Sequence, residues 1–227
     1  MSRIFQGFGE AYSEVKRDLA EMGIHVHPQT MQDKIVGDNP DYDTKELQNY
    51  MYTVTDALSS IFELVPNQPW ADDEFKERVS GEFINPGKAW KHRPEIWTEY
   101  LHEGQFAYTY SERLSDQLET FIRELKQHPN SRQLYISIWD PVADPPKLGG
   151  QSRVPCSLGY LLQYRNGKLN MTYFMRSCDF ITHFQNDAYL ATRLMEYIAK
   201  EAGVEPGDFT HFMGSLHMYA KDAKGVF

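Results

Sequence analysis

Two cysteines hold the thiols of this sequence, and their neighbours differ in ways that bear on nucleophilic chemistry. Cys156 follows Pro155 and lies three residues after Arg153. A nearby cation lowers the pKa of a thiol and favours the nucleophilic thiolate. Cys178, in the run 176–179 (RSCD), is the competing candidate. Because an isolated cysteine is often an inert buried side chain, the sequence leaves both thiols open as the nucleophile.

Two arginines stand beside serine hydroxyls in a pattern that suits phosphate. Arg132 follows Ser131, and Arg176 precedes Ser177. A guanidinium donates several hydrogen bonds in a fixed fork, and a hydroxyl adds another donor to a phosphate oxygen. Each arginine taken singly is equally compatible with a surface ion pair. Together with the thiol at Cys156, the two pairs indicate a site for an anionic ligand.

Charge and composition exclude several classes of protein. The chain has 227 residues, of which 41% are hydrophobic and 24% charged, as in a globular domain rather than a disordered chain. Its net charge of −9, without a basic block, argues against a nucleic-acid partner. The cysteines form no C-x-x-C pair, so neither a metal site nor a disulfide scaffold is indicated. With no apolar run of membrane-span or signal-peptide length, we expect one cytoplasmic domain over residues 1–227.

Hydrophobic periodicity predicts helices and strands in a mixed order. Helices are expected over 8–22, 72–81, 111–127 and 187–202, the first and last ending at glycine. Strands are expected over 134–139, on both sides of Asn166-Gly167 within 158–175, and over 209–219. A loop is expected over 84–97 and a turn over 204–208, whereas 28–48 gives no clear pattern. This order predicts an α+β fold around a mixed or antiparallel sheet.

Five linked motifs resemble the thymidylate synthase superfamily in order and approximate spacing. They are SR at 131–132, PC at 155–156, RSCD at 176–179, GDF at 207–209 and HMY at 217–219. The resemblance is clear over about 94–222, thin over 70–93, and absent before that. Residues 186–189 (NDAY) and 214–217 (GSLH) look most like the phage deoxycytidylate hydroxymethylases. The resemblance implies a homodimer that pairs through the sheet and shares its active sites.

The resemblance also implies a role for each matching residue. Cys156 is the implied nucleophile toward C6 of a pyrimidine nucleotide, and Arg176 and Ser177 are implied to hold its phosphate. The remaining implied roles are general acid and base catalysis by Glu77 (or Glu82 in an alternative alignment), ordering of water by Tyr110, phosphate binding across the dimer by Arg132, binding of the sugar 3′-hydroxyl by His217 and Tyr219, further substrate binding by Asn186, and folate binding by Trp97 and Asp179.

Asp187 is the position that bears on which base is bound. It lies 11 residues after Arg176, where thymidylate synthases place an asparagine that matches uracil. Cytosine inverts the hydrogen-bond pattern at N3 and at the 4-substituent, and a carboxyl group fits the inverted pattern. The alternative interpretation is that Asp187 caps the helix that it begins. The sequence favours base recognition by Asp187.

Two residues depart from the family pattern. Gln133 follows Arg132 where a second arginine is usual, and His183 stands where a glycine is usual. No clear match exists for the family's N-terminal phosphate arginine, and Lys34 is the candidate replacement.

The implied reaction is covalent and depends on folate. Cys156 adds to C6, C5 takes the one-carbon unit of 5,10-methylenetetrahydrofolate, and water captures the methylene to give 5-hydroxymethyl-dCMP. Methylation of dCMP and thymidylate synthesis from dUMP are the alternatives within the family. An inactive dimer that binds nucleotide or RNA is the alternative outside it. A phage source, with activity in the host cytoplasm, is the expected setting.

Overall fold

The computed structural model describes residues 3–32, 34–145 and 153–223. In these ranges the α-helices are α1 (Phe8–Met22), α2 (Trp70–Arg78), α3 (Pro94–Trp97), α4 (Tyr110–Gln127) and α5 (Phe184–Ala202). A Thr109–Glu112 capping box starts α4, and Gly203, with a φ of 72°, ends α5. No helix in the described ranges has the length and apolar composition needed to cross a bilayer.

The strands of the described chain form one large mixed sheet and one small hairpin. They are β1 (Arg3–Phe5), β2 (Ile24–Val26), β3 (Thr30–Met31), β4 (Lys34–Ile35), β5 (Thr44–Val54), β6 (Tyr135–Ser137), β7 (Ser157–Arg165), β8 (Lys168–Asp179) and β9 (Glu205–Tyr219). The large sheet has the order β1-β5-β9-β8-β7-β6, with β2 also on β5. The β1–β5 and β8–β9 pairs are parallel and the other pairs are antiparallel.

The predicted α+β class and mixed sheet are confirmed, including the hairpin at Asn166-Gly167. Both residues have positive φ, 53° and 83°, as a tight two-residue turn between β7 and β8 requires. The four predicted helices are present with ends shifted by up to three residues. These agreements arise where local periodicity and turn chemistry specify the element without help from distant contacts.

One unassigned segment and two local predictions differ from the structure. The unassigned segment 28–48 contains β3, β4 and the start of β5, and β5 is an interior strand between β1 and β9. After the buried Thr44, its polar first half is half-buried or exposed, and Asn49 has a φ of 54°, so no alternating pattern marks it. The turn predicted over 204–208 is wrong, because β9 begins at Glu205. The loop predicted over 84–97 contains helix α3 and a 3-10 turn over Ala89–His92.

Helices α1, α4 and α5 contribute buried apolar side chains to the core that they share with the large sheet. Among the large side chains of the described core, Tyr52, Tyr173, Phe184 and Phe209 are almost fully buried. Helix α2 packs against α4 and α5 and has its own small cluster around Trp70. This packing places α2, the start of β7, the C-terminal ends of β8 and β9, and the first turn of α5 around one cavity.

Candidate active site

A cavity of about 560 Å³ gathers residues that are far apart in the sequence. Ten of the twelve predicted site residues line it: Glu77, Trp97, Tyr110, Cys156, Arg176, Ser177, Asp179, Asp187, His217 and Tyr219. Arg132 and Asn186 do not. Lys34, the candidate replacement for the N-terminal phosphate arginine, and His183, which stands where a glycine is usual, also line the cavity.

Cys156 is partly exposed to the cavity at the start of β7. Its carbonyl accepts a hydrogen bond from the backbone N–H of Arg176 at 2.8 Å, and Arg176 Nε donates to the Pro155 carbonyl at 3.0 Å. Burial raises the pKa of the Cys156 thiol, while the Arg176 charge opposes that rise. The side-chain amide of Gln32 donates toward the sulfur at 3.8 Å. The Arg176 charge and the Gln32 amide therefore offset part of the cost of burying the Cys156 thiolate.

Cys178 occupies a different environment two residues after Arg176. It borders the same cavity, but it is only 1% exposed and packs within the hydrophobic core. Burial raises the pKa of its thiol well above the ordinary value, and Asp187 and Asp179 add to the rise. Of the two thiols left open by the sequence, accessibility and charge therefore favour Cys156 as the nucleophile.

Glu77 lies near the end of α2 and points at the backbone that follows it. Its Oε1 accepts from the backbone N–H groups of Lys88 at 2.6 Å and Ala89 at 3.0 Å. Gly87, at a φ of 74°, allows this approach, since a Cβ there would overlap the Glu77 carboxylate. Burial raises the pKa of Glu77, and these two hydrogen bonds oppose the rise. The alternative, Glu82, is exposed and lies outside the cavity lining.

A chain of hydroxyl groups runs from the cavity into the core. Tyr110 and Ser157 share a hydrogen bond of 2.9 Å, and Ser157 also bonds to the hydroxyl of Tyr173. The guanidinium of Arg78 lies 3.8 Å from the centre of the Tyr110 ring and pairs with Glu74 at 2.8 Å. Arg78 was missed in the sequence, where a Glu-Arg pair four residues apart is typical of a solvated helix face. Its burial is a tertiary effect.

Arg176 and Ser177 line the cavity on β8, whereas Arg132 does not reach it. Ser177 lies opposite Ser215 of β9 in the parallel pair. Arg132 is exposed between α4 and β6, outside the lining of its own chain's cavity. Two of the three residues predicted to bind phosphate therefore share the cavity, and Arg132 is not among the residues that line it.

His217 and Tyr219 end β9 beside Asp179 at the end of β8. The rings of His217 and Tyr219 meet edge to face with centres 5.0 Å apart, and Ser215 bonds to His217 Nδ1 at 3.4 Å. Burial lowers the pKa of His217, which favours the neutral ring. Asp179 accepts from the backbone N–H groups of Ile181 and Thr182 at 3.1 and 3.2 Å. The Asp179 turn fixes the entry into α5.

The helix-cap interpretation of Asp187 is wrong. Helix α5 begins at Phe184 with His183 at the capping position, so Asp187 is the fourth helical residue. Among the described residues, its carboxylate has no hydrogen-bond or ion-pair partner. Burial raises the pKa of Asp187 to about 7, although Arg78 and Arg93 oppose the rise. A carboxyl group with this pKa is present in both protonation states near neutral pH.

Asn186 is adjacent to Asp187 but faces away from the cavity. It is 3% exposed, its Oδ1 accepts from the Asn67 backbone at 2.8 Å, and its Nδ2 donates to Asn67 Oδ1 and the Thr182 carbonyl. These bonds use both amide hydrogens. The structure therefore gives Asn186 a positioning contact to the segment before α2, in place of the substrate contact that the sequence predicted.

His183 occupies cavity space that the usual glycine would leave open. Its ring centre lies 6.4 Å from that of Trp97, and it precedes Asp187 by one helical turn. Burial lowers the pKa of His183 to about 4, so the ring is neutral at pH 7. Within the described ranges, no group of three His, Cys, Asp or Glu residues is arranged to hold a metal ion.

Comparison with known proteins assigns a family to most of the chain. The family model described as thymidylate synthase matches residues 44–226. A putative thymidylate synthase of Methanosarcina barkeri is 30% identical over 188 residues, covering 78% of this chain and 82% of the relative. One from Methanocaldococcus jannaschii is 30% identical over 178 residues, covering 78% and 76%. The crystal structure of thymidylate synthase from T4 phage matches with a TM-score of 0.69, at 21% identity, over 92% of this chain and 76% of that one.

Proposed function

The chain belongs to the thymidylate synthase family, a family of folate-dependent one-carbon transferases, and from that premise we propose that it hydroxymethylates deoxycytidylate. The reaction converts dCMP, 5,10-methylenetetrahydrofolate and water to 5-hydroxymethyl-dCMP and tetrahydrofolate. The observation that carries the choice of base is Asp187. Its carboxyl group is unpaired within the described chain, lines the cavity, and has a pKa raised to about 7.

Asp187 suits cytosine for a reason of hydrogen-bond polarity. Cytosine N3 accepts and its 4-amino group donates, so a protonated carboxyl group can donate to N3 while its other oxygen accepts from the amine. An ionised carboxylate fits the N3-protonated base equally well. Uracil offers an N3–H donor and an O4 acceptor, and an ionised carboxylate, which only accepts, leaves O4 without a donor. Unpaired buried polar groups are costly, so this polarity supports selection of dCMP over dUMP.

The chemistry proceeds through Cys156. Its thiolate adds to C6, and the electron pair of the C5–C6 double bond becomes available at C5. Methylenetetrahydrofolate supplies a one-carbon unit at the oxidation level of formaldehyde. C5 bonds to that carbon and loses its proton, and the bond from the carbon to the folate nitrogen then breaks, so that tetrahydrofolate leaves and an exocyclic methylene remains. Water adds to this methylene, and expulsion of the Cys156 thiolate restores the C5–C6 double bond. The electron pair of each broken bond forms the next bond, so this series of steps needs no external oxidant or reductant.

The other lining residues have supporting roles in this proposal. Glu77 moves protons, because burial raises the pKa of its carboxyl group toward neutral pH. The Tyr110–Ser157–Tyr173 hydroxyl chain orders water through its hydrogen bonds, and burial keeps the Tyr110 hydroxyl protonated by raising its pKa. Arg176 and Ser177 bind the phosphate, and His217 and Tyr219 bind the sugar hydroxyl. These assignments are supported by a shared cavity and by the family pattern.

The cavity wall near Trp97 has the character that a folate needs. Trp70 stacks on Trp97 at 6.1 Å, and Phe106 meets Trp97 at 6.2 Å, so a broad aromatic wall is available to a planar heterocycle. The indole N–H groups of Trp90 and Trp97 are buried without a hydrogen-bond partner in the described chain. Trp97 and Asp179 are the residues that we propose hold this cosubstrate.

The outer face of the sheet supports the proposed homodimer. Phe174 of β8 and Phe212 of β9 are register partners with ring centres 6.0 Å apart, and Met51 of β5 continues the row. All three are partly exposed. A second copy on this face would cover them and supply Arg132 to the other chain's cavity.

A mixing experiment tests the shared site. Inactive Cys156→Ala and Arg132→Ala chains, exchanged into heterodimers, should recover part of the activity, because one of the two sites then contains both intact residues. Exchange is checked with differently tagged subunits. If exchange is complete and no activity returns, Arg132 does not act across the dimer.

Thymidylate synthesis from dUMP is the second candidate, favoured by the names of the relatives in Methanosarcina barkeri and Methanocaldococcus jannaschii. One experiment separates the reactions. The protein is incubated with methylenetetrahydrofolate and dCMP, dUMP or CMP, and the nucleotide product is weighed by mass spectrometry. Gain of CH2O on dCMP supports the proposal, whereas gain of CH2 on dUMP replaces it with thymidylate synthesis. Gain of CH2 on dCMP keeps the base assignment and changes the last step to hydride transfer.

A further inference from the structure

Arg153 is a cavity-lining cation that the family pattern leaves without a role. It lies three residues before Cys156 and lines the same cavity. Its guanidinium carbon lies between 4.7 and 5.5 Å from the centres of four aromatic rings, those of Trp97, Tyr100, Phe106 and Tyr108. Aromatic faces attract a guanidinium without neutralising it. The rings therefore hold the cation in place and leave its charge available.

Most of the other basic side chains of the cavity, unlike Arg153, pair with a carboxylate. Lys34 pairs with Glu99 at 2.6 Å, Arg78 with Glu74 at 2.8 Å, and Lys221 with Asp222 at 4.0 Å. In the described chain, Arg176 and Arg153 are the lysine or arginine residues of the lining that have no carboxylate partner. Arg176 still donates to the Pro155 carbonyl, whereas Arg153 makes no hydrogen bond to a described residue and its Nη1 is buried.

The Arg153 guanidinium has no acceptor among the described residues, and a bound anionic ligand can supply one. A guanidinium donates five hydrogen bonds and accepts none. Holding it partly dehydrated without an anion is unfavourable, and a bound anion recovers that free energy as charge-assisted hydrogen bonds. The neighbouring indole N–H groups of Trp90 and Trp97, which also lack partners, are donors too. This wall of the cavity thus presents hydrogen-bond donors that are complementary to an oxygen-rich, negatively charged ligand group.

We propose that Arg153 is a second anion-binding position in the cavity, separate from Arg176 and Ser177. It binds an anionic oxygen group of a substrate, either the carboxylate of the folate donor or the nucleotide phosphate. The two sources share one chemistry and can be distinguished by binding. The inference rests on the proposed function for the identity of these two ligands.

The test compares charged ligands with their uncharged counterparts at equilibrium, without turnover. Binding of tetrahydrofolate, tetrahydropteroate amide, dCMP and deoxycytidine is measured by calorimetry for the wild type, Arg153→Gln and Arg153→Lys. Arg165→Gln is the matched control, because it removes the same charge from the β7–β8 hairpin, outside the cavity lining. Since a hydrogen bond to a charged group contributes appreciably, Arg153→Gln should weaken one anionic ligand by about 10-fold or more.

The pattern of losses decides the proposal. Loss for tetrahydrofolate but not for the pteroate amide assigns the carboxylate, and loss for dCMP but not for deoxycytidine assigns the phosphate. Arg153→Lys should retain part of the lost affinity, since it keeps the charge without the planar fork. Equal loss for charged and uncharged ligands, or no loss, would overturn the proposal and leave Arg153 as a packing residue.

Two further points keep the result interpretable. If Arg153→Gln does not fold, as judged by circular dichroism, Arg153→Met supplies the uncharged variant with a side chain that packs among the rings. If the wild type binds both ligands but does not hydroxymethylate dCMP, the proposed function fails while the binding comparison still decides the role of Arg153.

Discussion

Two regions of this protein bury polar side chains, and they treat them in opposite ways. In the core, His211 is fully buried, with Nδ1 3.2 Å from the Tyr52 hydroxyl and Nε2 3.0 Å from the Met175 sulfur. Its ring stacks on Tyr173 at 4.9 Å. In the cavity, Asp187 has no hydrogen-bond or ion-pair partner, and Arg153 has neither, among the described residues.

The difference separates groups that hold the fold together from groups that await a ligand. A buried polar group without a partner destabilises the fold by about 1–3 kcal/mol, so such groups are rare outside sites where a ligand supplies the missing partner. The core around His211 has partners for its polar atoms. The cavity leaves donors and a carboxyl group open, which is the state expected before substrates bind. Substitutions in the two regions should therefore move different observables.

The largest expected effect distinguishes the two thiols. Cys156→Ala should lower turnover by at least about a thousandfold, because removal of a covalent nucleophile removes the whole reaction path. Cys178→Ala should retain turnover and lower the free energy of unfolding by about 1–3 kcal/mol, because it leaves a small void in the core. Steady-state rates and urea unfolding measure the two outcomes. Equal loss of turnover in both variants would contradict the assignment of Cys156.

A smaller effect on rate, with a change of preference, is expected at Asp187. Asp187→Asn exchanges a carboxyl group for an amide of similar shape and reverses the favoured hydrogen-bond pattern. The ratio of kcat/KM for dCMP to that for dUMP should fall by about a hundredfold or more, since mismatched buried polar groups discriminate strongly. Tyr52→Phe, outside the cavity lining, serves as the control that alters the core without altering this ratio. An unchanged ratio in Asp187→Asn would remove the basis for choosing dCMP.

The same variant should change how stability depends on pH. An aspartate pKa raised from 3.8 unfolded to about 7 folded means that the folded chain holds a proton that the unfolded chain releases. The contribution of Asp187 to the free energy of unfolding falls as the pH rises from about 4 to 7, and it is smallest above pH 7. The free energy of unfolding of Asp187→Asn minus that of the wild type should therefore be larger at pH 8 than at pH 4, by about 2–4 kcal/mol. Urea unfolding at both values measures this, and an equal difference at the two would show that Asp187 titrates normally.

The smallest effect belongs to the core. Tyr52→Phe leaves His211 Nδ1 without its partner and should lower the free energy of unfolding by about 1–3 kcal/mol. Nucleotide affinity should stay within about twofold, because Tyr52 lies outside the cavity lining. Thermal unfolding and calorimetric titration with dCMP check both statements. A large loss of nucleotide affinity in Tyr52→Phe without loss of stability would contradict the claim that core residues act on stability and cavity residues on binding.

Local sequence determined much of the architecture. The hairpin follows from Asn166-Gly167 and α4 from its apolar periodicity, because turn conformations and helix faces depend on residues within a few positions of one another. The order of the motifs containing Cys156, Arg176 and His217 also indicated the family before any contact was known. Sequence reasoning succeeded wherever a short segment carries its own signal.

Tertiary structure decided the rest, because burial and pairing depend on residues far apart in the chain. The amide of Gln32 reaches the sulfur of Cys156 across 124 positions, a contact that no local pattern encodes. Asn186 and Asp187 are neighbours, yet successive helical residues point in different directions, so the first bonds to Asn67 and the second faces the cavity. Arg153 has an ordinary position in the sequence, and four aromatic rings from another part of the chain isolate its charge.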